Sequence, residues 1–240
     1  MKGRFVIVEG LDSSGKGTIL KGIEEWAVSN GLKTFNLSEY SKEHKKLPEP
    51  EEIAGFDAVR SDEPTYSYAG QAIREEIINS SSNRAYSALS AAQAFALDRE
   101  ILYRKVIIPA LKAGKHVFQE RGVTSSIVYQ PVQGSMQLSE VLKLPGNKLA
   151  MQNAPDLLII TQVNPDFAMD RLGKREKKDS AIFENRLFQR KIIERYNSGW
   201  LRSLFEGHGS SVVYLDTNPP KTTEDIKKEA IKVWERLLEN

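Results

Sequence analysis

This sequence predicts an α/β fold built on a doubly wound parallel sheet, and three observations support it. Five short apolar runs, Phe5–Val8, Lys33–Leu37, His116–Gln119, Leu157–Thr161 and Val212–Leu215, lack strict alternation, as strands buried on both faces do. Segments of helical spacing separate them, and alternating β and α elements favour a parallel sheet. Directly after the first run comes Gly10-Leu11-Asp12-Ser13-Ser14-Gly15-Lys16-Gly17-Thr18, followed by a helical pattern from Ile19 to Ala27. Strand, glycine-rich turn and helix form the context of a phosphate-binding P-loop. The expected architecture is a five-stranded parallel sheet flanked by helices, of the P-loop nucleoside triphosphate hydrolase type.

The chemistry of that stretch follows from its residue types. Gly10, Gly15 and Gly17 let the backbone turn its N–H groups inward without a Cβ clash. With Ser13 and Ser14 they form a cradle that opens onto a helix N-terminus, where unsatisfied donors and a partial positive charge attract anions. Lys16 is placed to reach terminal phosphates as a point charge. With Gly17 directly after the lysine, the group expected to face a Mg²⁺ ion is Thr18 or a water near Gly17.

At 240 residues, one domain spanning residues 1–240 is expected. The chain has no cysteine, which excludes disulfides and thiolate metal sites. A net charge of +2 gives no argument for a nucleic-acid partner. No apolar run approaches the length that spans a membrane. The apolar segment after Lys2 and Arg4 is too short for a signal peptide, so a cytoplasmic enzyme is the expectation. His44, His116 and His208 show no metal spacing.

In chain order, Gly31 ends the first helix and the second strand runs to Ser38. Residues 39–62 are charged and contain Pro48 and Pro50; they read as a solvated surface insertion with a short helix rather than as a lid or docking loop. A turn-rich stretch from Glu63 to Gly70 leads into a helix near Gln71–Ile78 that carries Arg74. A long helix near Ala85–Lys112, interrupted around Pro109, holds Phe95 and Arg99 four apart on one face. The third strand ends in Gln119-Glu120-Arg121, at the carboxyl edge where open α/β sheets bind ligands. A helix begins at Val123, and Pro145-Gly146-Asn147 reads as a turn. Asn164 and Pro165 cap and start another helix. It ends in the basic run Arg171–Lys178, read as a lid near residues 171–182 whose cations stabilise developing charge. A helix near Ile182–Leu204, the fifth strand and a helix from about Thr222 complete the chain.

Several stretches, in order over nearly the whole chain, resemble the thymidylate kinase family, the P-loop enzymes that phosphorylate dTMP with ATP. The stretch Glu9–Thr18 resembles the family's P-loop E-G-x-D-G-x-G-K-S-T. Glu63-Pro64-Thr65 resembles its E-P-T segment, and Ala94-Phe95-Ala96-Leu97-Asp98-Arg99 its L-F-A-x-D-R helix. The run from Glu120 to Gln130 resembles D-R-Y-x-x-S-x-x-A-Y-Q, and Pro155-Asp156-Leu157 its P-D-L run. The resemblance implies ATP and Mg²⁺ as donor and metal, and dTMP as acceptor. It places Phe95 against the thymine ring, Arg99 on the base or monophosphate, and Arg121, with Arg74, on the acceptor phosphate. Ser126 and Gln130 take the pyrimidine edge. Asp12 lies near the acceptor and its metal, with Glu120 in place of the family's aspartate. A P-loop without an internal arginine implies lid cations, here Lys174 and Arg175. A homodimer through the small-residue helix Ala85–Leu102 is also implied.

The chain departs from that pattern in places. Gly17 replaces serine, Gly122 replaces a tyrosine, and Asp62 stands where many members carry an arginine, so a phosphate contact is missing or comes from Arg60 or Arg74. The Lys-Gly-Thr ending of the P-loop also resembles adenylate kinases. Two other readings therefore stay open: another nucleoside monophosphate kinase, of dUMP or AMP type, and an ATP-binding module without kinase chemistry.

Overall fold

A computed structural model describes residues 3–78, 84–134, 136–173 and 186–239. Six parallel strands form one sheet in the order β2-β3-β4-β1-β5-β6. They are β1 (Phe5–Glu9), β2 (Thr34–Asn36), β3 (Ala58–Asp62), β4 (His116–Glu120), β5 (Leu157–Gln162) and β6 (Ser211–Asp216). The five expected strands are present. The sixth, β3, lies inside residues 39–62, so that segment is not simply a solvated insertion. It contributes helix α2 (Leu37–His44), a 3₁₀ turn at Pro50–Ile53 and a strand hydrogen-bonded between β2 and β4. Only Val59 among its residues is a large apolar side chain, so an apolar run does not mark it.

Alternate residues of each strand feed two cores. Val6, Val8, Phe118, Leu157 and Ile159 pack under α1 (Lys16–Ser29) and the C-terminal helix at Thr223–Glu239. Ile19, Leu20 and Ile23 of α1 are fully buried there, each worth about 1.5–3 kcal/mol, and they fix the P-loop to the sheet. Phe5, Ile7, Val117, Leu158 and Ile160 face the other core. It is covered by α4 (Ala88–Leu102), on which α3 (Tyr68–Ala72) packs, and by α5 (Ile108–Lys112), α6 (Val123–Gly134), α7 (Leu138–Lys143), α8 (Pro145–Gln152), α9 (Pro165–Gly173), α10 (Arg186–Tyr196) and α11 (Gly199–Glu206).

Three helix expectations change. A π-helical turn at Tyr103–Ile107 joins α4 to α5, and the wider turn accommodates Pro109, which lacks an N–H and crowds the preceding turn. Pro145-Gly146-Asn147 opens α8 rather than forming a turn, with proline in its first turn. The long helix near Ile182–Leu204 is two helices, α10 and α11, with Ser198 as the cap of the second. Lys174 and Arg175, and residues 174–182 of the expected lid, lie outside the described residues. No described helix is long and apolar enough to cross a membrane.

Candidate active site

The site lies at the carboxyl edge of β1, β3 and β4. After β1 the chain turns through Gly10 (φ 139°), Ser13 (φ 57°) and Gly15 (φ 94°). A Cβ on Gly10 would overlap the Thr161 hydroxyl. That hydroxyl donates to the Glu9 carbonyl at 3.1 Å and lies 2.6 Å from Ser14 Oγ, so β5 holds the loop. Gly15 caps α1 without a side-chain bond, which leaves the first N–H groups of the helix for a ligand. Ser13 Oγ is buried without a hydrogen-bond partner.

Lys16 reaches back into the loop and donates to the Leu11 carbonyl at 2.6 Å. Its Nζ lies 3.9 Å from Glu120. Burial pushes its ammonium down to about 8, the nearby Arg121 adds to the effect, and Glu120 and Asp12 oppose it. A charge held with so little water nearby calls for an anion. These groups fit a polyphosphate.

Arg121 follows β4 in a left-handed conformation, φ 63°. Its guanidinium pairs with Asp12 and donates to Ser125 Oγ at 3.2 Å. Glu9 organises this turn: its fully buried carboxylate accepts from Gly122 N–H at 2.8 Å, Ser125 N–H at 3.0 Å, the Ser125 hydroxyl at 2.8 Å and the Tyr196 hydroxyl at 2.9 Å. One carboxylate thereby joins the P-loop, the start of α6 and α10. Sequence reasoning assigned no role to Glu9; a carboxylate ending an otherwise apolar strand was the signal.

Asp12 and Glu120 are the carboxylates at the mouth, and Thr18 lies on the first turn of α1. A Cβ on Gly17 would sit 3.8 Å from Glu120 Oε2. Among the described residues no three His, Cys, Asp or Glu side chains cluster as a metal cage. Such a sparse oxygen set suits Mg²⁺, which keeps several waters and takes one or two carboxylates together with phosphates.

Across the cleft, α4 braces the loop after β3. Asp98 accepts from Thr65 N–H at 2.8 Å and from its hydroxyl at 2.7 Å. Arg99, expected on the base or monophosphate, is buried, with a side-chain exposure of 2%. It pairs with Glu63 at 2.7 Å, donates to Gly122 O at 3.1 Å and bonds Asn147. Burial pushes the Glu63 carboxyl up and Arg99 opposes it. Arg99 thus ties α4 to the loops that carry Pro64 and Arg121. Arg74 donates through Nε to Pro64 O at 3.1 Å and Thr65 O at 3.0 Å. Phe95 is half-buried on α4. On α6, which packs against α4, Ser126 and Gln130 are buried, and Gln130 Oε1 has no hydrogen-bond partner. Arg60 is committed elsewhere, to Asp62 at 2.5 Å, Glu120 at 3.6 Å and Glu24 at 3.7 Å.

A parallel sheet with a P-loop after its first strand and an arginine held against that loop defines a P-loop nucleotide kinase. A profile of the thymidylate kinase family matches residues 44–230, and the chain belongs to that family. It is 28% identical over 239 residues to a thymidylate kinase of Caldicellulosiruptor saccharolyticus, covering 99% of this chain and 98% of that one. It is 29% identical over 234 residues to a probable thymidylate kinase of Archaeoglobus fulgidus, covering 98% and 96%. The fold matches the crystal structure of an Ehrlichia chaffeensis thymidylate kinase with a TM-score of 0.62 at 20% identity, covering 98% of this chain and 100% of that one.

Proposed function

We propose that this enzyme transfers the γ-phosphoryl group of Mg·ATP to a phosphate oxygen of dTMP, giving ADP and dTDP. The observation that carries the reading is Arg121, a guanidinium fixed against the P-loop by Asp12 and the Gly10 carbonyl. Lys16 and the open N-terminus of α1 hold the donor phosphates, and Arg121 holds the acceptor phosphate. The acceptor oxygen is already anionic, so positioning and charge neutralisation carry the catalysis. Mg²⁺, when bound, neutralises charge on the donor phosphates, with Asp12, Glu120 and Thr18 placed to hold it directly or through water. Lys174 and Arg175 complete the reading as lid cations, and the lid excludes water from the transfer. The reaction belongs in the cytoplasm, where deoxynucleotides are made.

Base selection follows the same geometry. Gln130 Oε1 is a buried acceptor that suits a pyrimidine N3–H, and Phe95 offers a ring face. Phe95→Ala is expected to raise the KM for dTMP about 10-fold, the scale of one lost base stack, and to leave the KM for ATP unchanged. Steady-state kinetics in both substrates check this. The reaction itself is tested by product analysis with dTMP, dUMP, AMP, CMP and GMP as acceptors. Preferential formation of dTDP supports the proposal; phosphorylation of AMP and not dTMP overturns it.

The reading includes a homodimer through α4. The small-residue side of that helix is used within the chain: Gly146 of α8 lies so close that a Cβ there would overlap the Ala96 carbonyl. Leu89 and Leu97, two turns apart on its other side, are 51% and 52% exposed, a stripe suited to a second copy. The double substitution Leu89→Glu, Leu97→Glu should convert a dimer to a monomer in sedimentation velocity, with the circular dichroism spectrum preserved.

A further inference from the structure

Tyr66, just past the Glu63-Pro64-Thr65 loop, carries two cations on its ring. The Arg74 guanidinium lies 3.8 Å from the ring centroid and Lys42 Nζ lies 4.2 Å from it. Lys42 comes from α2, inside residues 39–62. The Ser38 hydroxyl of the same helix donates to Asp62 at the end of β3, which fixes α2 at the carboxyl edge of the sheet. Among the described residues no carboxylate makes an ion pair with Lys42 or Arg74. Asp62, at the end of β3, is taken by Arg60 and Ser38. Arg74 spends Nε and Nη2 on the Pro64 and Thr65 carbonyls, and Nη1 makes no bond to the described residues. Two like charges gathered on one ring, with open donors, form a site for an anion.

Arg74 is held on the carbonyls of Pro64 and Thr65, in the loop that leaves the carboxyl end of β3, the sheet edge at which the P-loop and Arg121 also lie. Arg60 is already paired with three carboxylates, Asp62, Glu120 and Glu24. We propose that Lys42, together with Arg74 on the Tyr66 platform, binds the phosphate of the acceptor nucleotide through an oxygen that does not react. This rests on the kinase reading above and assigns to residues 39–62 a direct role in acceptor binding. Lys42 holds the phosphate equally before and during transfer, so its loss changes binding and not turnover.

Lys42→Met and Lys42→Arg variants test the proposal by steady-state kinetics and calorimetric titration with dTMP and with thymidine. Lys42→Met should raise the KM and Kd for dTMP on the order of 10-fold, with kcat, the KM for ATP and thymidine binding unchanged. Lys42→Arg should recover most of the loss. An unchanged Kd for dTMP in Lys42→Met overturns the assignment, as does equal weakening of thymidine, which lacks the phosphate. If the wild-type protein binds dTMP without phosphorylating it, the kinase reading fails while the titration still decides the role of Lys42.

Discussion

Lys16→Met should abolish phosphoryl transfer while the protein stays folded. The substitution keeps the aliphatic stem and removes the one ammonium buried inside the P-loop. Removing a single preorganised charge from a transfer site costs roughly 10²–10³ in kcat, and Lys16 also serves ground-state binding of the donor. Stability should move the other way. Lys16 has a folded pKa of about 8 against an ordinary value of 10.5, so between those values the unfolded chain holds more protons. Stability from this group therefore rises with pH across that window and is at its lowest below about 8. At pH 7 the methionine variant should melt no lower than the wild type, a stability gain at the expense of activity. The same pKa sets the wild-type profile. The kcat/KM for ATP reports the free enzyme and should fall as pH rises through about 8, because neutral Lys16 no longer offers a charge to phosphate. A pH-independent kcat/KM between 7 and 9 would contradict this role.

Arg121→Met is expected to have the second-largest effect, roughly a 10²–10³-fold loss in kcat/KM for dTMP, with the KM for ATP little changed. The guanidinium is held against the P-loop by Asp12, the Gly10 carbonyl and Ser125. Its place depends on the Glu9 carboxylate, which fixes the backbone of Gly122 and Ser125. Methionine retains most of the stem and leaves that framework intact. Arg121 also lowers the Lys16 pKa, so the variant should shift the alkaline limb for ATP to higher pH. An alkaline limb that stays in place while dTMP kinetics collapse would separate the two sites that this account couples.

The donor half of the site was legible in the sequence because its chemistry is local. A strand, a glycine-rich turn and a helix start are consecutive, and the backbone conformations they need are written in Gly10 and Gly15. Arg121 was legible because it stands just past an apolar run, at the carboxyl edge of the sheet. The acceptor half was harder, since long-range pairing builds it. β3 has one large apolar residue, and its Arg60 and Asp62 are satisfied by each other and by Glu24, Glu120 and Ser38, none of which spacing reveals. Arg99 belongs to a recognisable motif, yet its partners, Glu63, 36 positions away, and Asn147, 48 positions away, are not written in its spacing. Pro145-Gly146-Asn147 carries turn residues, but proline can open a helix and glycine there admits the backbone of α4.

The central claim is that one cleft holds both nucleotides with their phosphates meeting between Lys16 and Arg121. Calorimetric titration with a dinucleoside pentaphosphate joining adenosine to thymidine tests it most directly. The account predicts one molecule bound per chain, displaced by either ATP or dTMP alone, with affinity reduced in both Lys16→Met and Arg121→Met. Displacement by only one of the two nucleotides, or undiminished affinity in either variant, would contradict it.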